Sequence, residues 1–454
     1  MKFSSVRSKF VVSQMRLDGS FHLSDGLEVR KLVSRSPYGT TEIKDVTSDI
    51  YCPGIFKRNY VKSGIPFLGG GDIQKQDLDS GKYLRKKNTP NYEILQIKKG
   101  WSLVTCGGTI GDAVFANNLL AKCWVSQHVM RVIPKNIKEG MLYAYLASKY
   151  GKLLLTTNTY GSVIPTLNAG NIANLPIPRF QESFQQKVDD LIQKSARLRE
   201  EATEALEKAK RSLESFINAD FEKNNYKTSI VKSRNILSSL QHRFDPPALM
   251  NDGVVVMNGI TSRISTQIIA NINAKVFRPG IFKRIYVENG IPYIKGSEIF
   301  LNNPFRRCEH LSRTRTPFVD EMTLHEGQIL ITCAGSVGNI KMITKEYEDK
   351  KAIGSQDIIR LISNDELFTK EYLFIYLRMP FVNDYIQSMK YGSVIERIEP
   401  FHVESIPVVT PSKELSEEIT AIVRQYMDCT YRAFNAEEKA ITMVEQEIEK
   451  WNKY

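Results

Sequence analysis

The sequence predicts a mixed α/β (α+β) fold built twice: two globular heads, each followed by a long helix, the two helices pairing as an antiparallel coiled coil. Three observations carry this expectation. At 454 residues the chain is longer than one hydrophobic core usually organises. A phrase of 21 residues is written twice, and two long stretches carry the same heptad seam.

The repeat comes first. Residues 53–73 read PGIFKRNYVKSGIPFLGGGDI and residues 279–299 read PGIFKRIYVENGIPYIKGSEI, identical at thirteen of 21 positions. The correspondence continues in order. Arg16-Leu17-Asp18 answers Arg243-Phe244-Asp245, and Thr89-Pro90 answers Thr316-Pro317. LVTCGGTIG at 103–111 answers LITCAGSVG at 330–338, Ser126-Gln127 answers Ser355-Gln356, and YGSVI occurs at 160–164 and 391–395. A unit of this length is a domain rather than a solenoid repeat. The expected bounds are 1–180 and 225–411 for the heads, with 181–224 and 412–454 for the helices.

Within each head, WSLVTC and GQILITC are β-branched runs closed by glycine, which predicts strands. MLYAYLASKYGKLLL at 141–155 and KEYLFIYLRMPFVNDYI at 370–386 predict short helices. After Pro176 and Pro178, residues 181–223 contain neither Gly nor Pro. Their seam runs Phe184, Val188, Leu191, Ser195, Leu198, Ala202, Ala205, Ala209, in steps of four and three. After Pro407 and Pro411 the series recurs as Leu415, Ile419, Ile422, Tyr426, Cys429, Ala433, Ala436, Ala440. Two matched seams in one chain predict intramolecular pairing, antiparallel for units related by an approximate two-fold.

The chain carries 62 Lys and Arg against 50 Asp and Glu, a net charge of +12. Residues 181–224 and 412–454 are mildly acidic, so the basic excess belongs to the heads. That partition points to heads that hold a polyanion and helices that space them. The candidate contacts are Lys57, Arg58, Arg85, Lys86 and Lys87 in the first copy. In the second they are Lys283, Arg284, Arg306, Arg307, Arg313 and Arg315. Tyr160 with Ser162, and Tyr391 with Ser393, are further candidates, although a structural turn explains YGSVI as well. Positions kept between copies suit phosphate contacts or the fold, and positions that differ suit base reading.

Catalytic phrases fail on comparison of the copies. Phe67-Leu68-Gly69-Gly70-Gly71 and Asp245-Pro246-Pro247-Ala248 approach methyltransferase phrases, but their partners, Tyr293-Ile294-Lys295-Gly296-Ser297 and Asp18-Gly19-Ser20-Phe21, keep neither. Ala248 also lacks the aromatic that would stack on a flipped base. A nuclease set from Asp25 and Glu42-Ile43-Lys44 has no counterpart in the second copy. The six histidines lack metal-ligand spacing, and no P-loop is present. We therefore expect no catalytic site, metal or cofactor in this chain. Six cysteines without a CxxC pair suit a reducing, cytoplasmic setting. Met1–Arg7 leads into no long apolar segment, and no apolar run is of membrane-spanning length.

Head–helix–head–helix, with the RxD openings, GIPFLGGGDI and GIPYIKGSEI, TCGGTIG and TCAGSVG, YGSVI and the Pro-bounded helix starts, resembles the specificity subunits of type I restriction-modification systems. The resemblance spans essentially the whole chain. It implies two target-recognition domains that each read half of a split, asymmetric DNA target. The helices would set the gap and dock two methyltransferase subunits, which carry S-adenosylmethionine, and motor-nuclease subunits would join for restriction. The residues alone leave two other readings open: a specificity module of another methyltransferase-based defence system, or a non-catalytic coiled-coil adaptor.

Overall fold

Ser102–Thr105 and Ile329–Thr332 are buried along their whole length, as apolar β-branched runs at the middle of a sheet should be. A computed structural model places each as an inner strand; it describes residues 8, 22, 24–157, 166–218, 233–237 and 242–451. In the first head the antiparallel order is Thr47–Tyr51, Val129–Pro134, Ser102–Thr105, Ala113–Phe115. The second head repeats it with Ala274–Phe277, Ile358–Ser363, Ile329–Thr332, Ile340–Met342.

A smaller sheet accompanies each. In the first head Ile65–Leu68 pairs antiparallel with Tyr83–Leu84 and parallel with Trp124–Val125. In the second, Ile291–Ile294 pairs antiparallel with Glu309–Leu311 and parallel with Ile353–Gly354. The proline-bounded segments Pro176–Pro178 and Pro407–Val409 form two-stranded ribbons with Thr40–Glu42 and Thr266–Ile268. Proline donates no ladder bond, so a ribbon suits it better than a sheet interior.

The predicted helical stretches each divide in two. Glu139–Ala147 and Lys149–Thr157 are separated at Ser148, whose ψ of 158° is extended. Lys370–Leu377 and Pro380–Ser388 are separated because Pro380 can begin a helix but not continue one.

Each head leads into a long helix, Glu182–Ile217 and Lys413–Lys450. Nearly all the seam is buried: Val188, Ser195, Leu198, Ala202, Ala205 and Ala209 on the first helix, and Leu415 through Ala440 on the second. Phe184 and Leu191 are half-buried.

The chain forms two compact units, Met1–Glu200 with Arg432–Tyr454, and Glu201–Tyr431, so both helices contribute to both. In the first unit Phe180 packs on Trp451 and the Ser195 hydroxyl donates to the Ala433 carbonyl at 2.8 Å. The helix ends there run antiparallel and share a core with Met141–Leu146. In the second unit Cys429 meets Glu201, and Ser212 donates to Glu418 at 2.8 Å, the same sense of pairing. Tyr426 stacks on Phe374, 5.9 Å between centroids, and Arg424 reaches the buried Glu371 at 3.2 Å. No helix among the described residues is long and apolar enough to cross a membrane.

Candidate nucleic-acid interface

The identical PGIFKR segments follow the edge strands Thr47–Tyr51 and Ala274–Phe277, and from the isoleucine on, exposed and half-buried residues alternate along each of them. In the first head Pro53 is buried, Ile55 and Lys57 are exposed, and Phe56 and Arg58 turn partly inward. Pro279, Ile281, Lys283, Phe282 and Arg284 repeat this disposition. Phe56 meets the Phe67 ring edge-on at 6.0 Å, and Phe282 packs against the cluster of Tyr293, Leu311 and Ile353.

The two cations of each Lys-Arg pair, equivalent in sequence, therefore differ in place. Arg58 donates to Gln127 Oε1 at 2.8 Å and lies 5.6 Å from the Phe67 ring centroid. Arg284 donates from Nε to the Tyr293 hydroxyl at 2.8 Å and lies 3.7 Å from the Asp357 carboxylate. Each arginine braces its head, while Lys57 and Lys283 face solvent.

The second basic stretch lies alongside. Val61 donates its amide to the Tyr83 carbonyl, and Ser312 to that of Ile285. Arg85 donates to the Ser63 carbonyl and Arg313 to the Gly290 carbonyl, each at 3.1 Å, so both tie down the same GIP turn. Lys86 lies 5.4 Å over the Tyr92 ring, and Lys87 and Arg315 are exposed. Arg306 and Arg307 are half-buried around the 3-10 turn Pro304–Arg306. In each head both basic stretches are thus bonded to or flank the strands of the smaller sheet.

The glycine turns join the same region. Cys106 donates its amide to the His128 carbonyl at 2.9 Å, and Cys333 to that of Asp357 at 3.3 Å. In the second head Tyr391 and Arg397 exchange main-chain bonds, and Gly335 donates to the Glu396 carbonyl. YGSVI and TCAGSVG are thereby brought together, with Gly392 at a φ of +97° that only glycine adopts without strain. The Tyr391 hydroxyl donates to Glu399 at 2.8 Å, its ring stacks on His402, and Ser393 is exposed. Arg278 completes this edge with an ion pair to Glu399 at 3.4 Å. Tyr160, Ser162 and Arg16 lie outside the described residues. Arg243 donates to the carbonyls of Ser388 and Lys390, fixing the chain just before Tyr391.

Two residues that were not among the sequence candidates hold this region from beneath. Arg131 and Arg360 are fully buried at corresponding positions of the central strands. Arg131 donates to the carbonyls of Val125, Ser126, Val129 and Leu95. Arg360 donates to those of Gly354, Ser355, Ile358 and Met322. Burial lowers both guanidinium pKa values to about 10, which leaves them charged at neutral pH. A charge among carbonyl dipoles, with Nε buried and without a hydrogen-bond partner among the described residues in both, fixes the loops Ser126-Gln127 and Ser355-Gln356. The signal was present in the sequence: an arginine inside an apolar strand, twice, in VMRVI and IIRLI.

The methyltransferase-like phrases have structural roles. Phe67 and Leu68 are buried in a strand, and Asp245 both precedes the helix Pro246–Met250 and pairs with Arg243. Among the described residues no group of three or more His, Cys, Asp or Glu could hold a metal ion.

The family model described as the type I restriction modification DNA specificity domain matches residues 36–208 and again 269–443. No curated protein matches the chain. Among solved structures, the type I restriction-modification S subunit from M. genitalium is 12% identical, with a TM-score of 0.37 over 92% of this chain and 96% of that one. The HsdS subunit from Thermoanaerobacter tengcongensis is 13% identical, with a TM-score of 0.28 over 91% and 99%. Both TM-scores lie below 0.5, so only the family match bears on function.

Proposed function

Because the chain belongs to the type I restriction modification DNA specificity family, we propose that it is the sequence-specific DNA-binding specificity subunit of a type I restriction-modification complex. Two target-recognition heads read the halves of a bipartite, asymmetric target in double-stranded DNA. The long helices pair as a coiled coil that sets the gap between the halves. The chain supplies no catalysis. Two methyltransferase subunits dock on it and bring S-adenosylmethionine, and motor-nuclease subunits join for restriction.

The observation that carries this reading is the coincidence of the two family matches with two heads that each carry two exposed basic stretches linked to the smaller sheet. Lys57, Lys86, Lys87, Lys283 and Arg315 face solvent there and are the proposed phosphate contacts. Arg58, Arg85, Arg284 and Arg313, which bond to their own heads, position those contacts. Arg306 and Arg307 have no basic counterpart in the first head, and we assign them to reading the second half-site, whereas Tyr391 and Ser393, repeated in sequence as Tyr160 and Ser162, suit backbone contacts common to both heads.

The test is the adenine methylome of the native cell with this gene intact and deleted. Loss of one split, asymmetric motif on deletion is expected, and an unchanged methylome would sink the assignment. The lysines give a second expectation. Replacing Lys57 or Lys283 with alanine should weaken binding to all sequences alike and reduce the salt dependence of binding by about one charge. A salt titration of affinity on random duplex checks it; an unaltered slope would remove both from the interface.

A further inference from the structure

Within PGIFKR the inward residues are accounted for by the fold: Pro53 and Pro279 are buried, Phe56 and Phe282 pack into the smaller sheets, and Arg58 and Arg284 are bonded. The outward residues are not. Ile55 is 92% exposed and Ile281 is 81% exposed, yet both copies keep isoleucine there. A single exposed isoleucine needs no explanation. An identical one at the same outward position of two heads that have diverged elsewhere is kept for something outside the head.

The neighbour indicates what. Exposure alternates along the segment, so each isoleucine shares the outward side with the lysine two residues on, Lys57 or Lys283. An apolar side chain next to a cation, on a net basic head, fits a polyanion that offers apolar surface behind its phosphates. Duplex DNA has that chemistry: phosphates at the groove rim, base and sugar edges within. Resting on the DNA-binding reading above, we infer that Ile55 and Ile281 are apolar groove contacts. Each packs on base and sugar edges while the adjacent lysine holds the flanking phosphate. Since the two heads share the contact, it anchors each head independently of the sequence read.

The experiment compares the full chain with Ile55→Ala, Ile281→Ala and the double variant on fluorescein-labelled random duplex across a salt series. Removing most of a buried isoleucine should weaken binding roughly tenfold per head. The salt slope should stay that of the wild type, because no charge is lost, which separates these variants from Lys57→Ala. Ile55→Val should restore most of the affinity, and thermal melting should be unchanged for all. Unaltered affinity in the double variant overturns the inference while leaving DNA binding intact. Normal DNA affinity with loss of the modification subunit on co-purification also overturns it, assigning the tips to a protein partner. A wild-type chain that binds no duplex at any salt overturns the DNA reading and this contact with it.

Discussion

Replacing Arg131 with methionine should destabilise the first unit by about 3–5 kcal/mol, and Arg360→Met should do the same to the second. Methionine approximates the volume of the arginine stem, and exchanging a buried ion for an apolar residue is often neutral when both partners of a pair are replaced. Here only the donor is removed. The carbonyls of Val125, Ser126, Val129 and Leu95 stay where the strands put them and lose their shared donor. Each buried acceptor left without a donor costs about 1–3 kcal/mol, against about 0.8 for each apolar carbon newly buried. The unmade bonds win. Lysine is expected to rescue little, because one ammonium cannot span carbonyls on opposite sides of a planar guanidinium.

Denaturant unfolding of the full chain checks this, and an unshifted midpoint for both variants would refute the bracing role. DNA affinity should fall with stability. Arg131 holds Ser126 at the base of the loop that carries Gln127, and Gln127 is the acceptor for Arg58. Losing the buried donor thus loosens a chain of bonds that ends beside Lys57.

What the sequence made legible follows from which signals are repeated. The duplication, the inner strands and the long helices rest on patterns of many residues, and the observed strand order agrees between heads. The division of each short helical stretch was foreseeable at Pro380 but not at Ser148, where no breaker stands. At the candidate interface, residue type singles out basic segments but not the roles within them. Lys57 and Arg58 differ by one residue, and in an extended chain one residue reverses the side that is faced. Arg85 and Arg313 read as surface charge, yet both close a turn through a carbonyl far along the chain. Net charge locates a basic region; only backbone direction says which cations face outward.

The proposed spacer role predicts a second large effect, and its sign depends on helical phase. Both helices change unit at corresponding places, Glu200 to Glu201 and Tyr431 to Arg432. Matched insertions at these two points leave Ser195 against Ala433 in one unit and Ser212 against Glu418 in the other. One inserted heptad in each helix preserves the seam and adds about 10 Å, close to three base pairs. It turns the proposed coil by only about 20°, whereas three base pairs turn DNA by about 100°. The heads then meet their half-sites out of phase, and target methylation should be lost. Three inserted heptads add about 31 Å, close to nine base pairs, which leaves DNA about 50° short of a full turn. The coil is then rotated by about 60° in the same sense, so the heads again face their half-sites. The longer insertion should therefore restore methylation at the same two half-sites, with the gap widened by about nine base pairs. Mapping the modified adenines of both strains decides it. Methylation at the original gap in the three-heptad strain, or equal function with a single heptad, would show that the helices do not set the spacing.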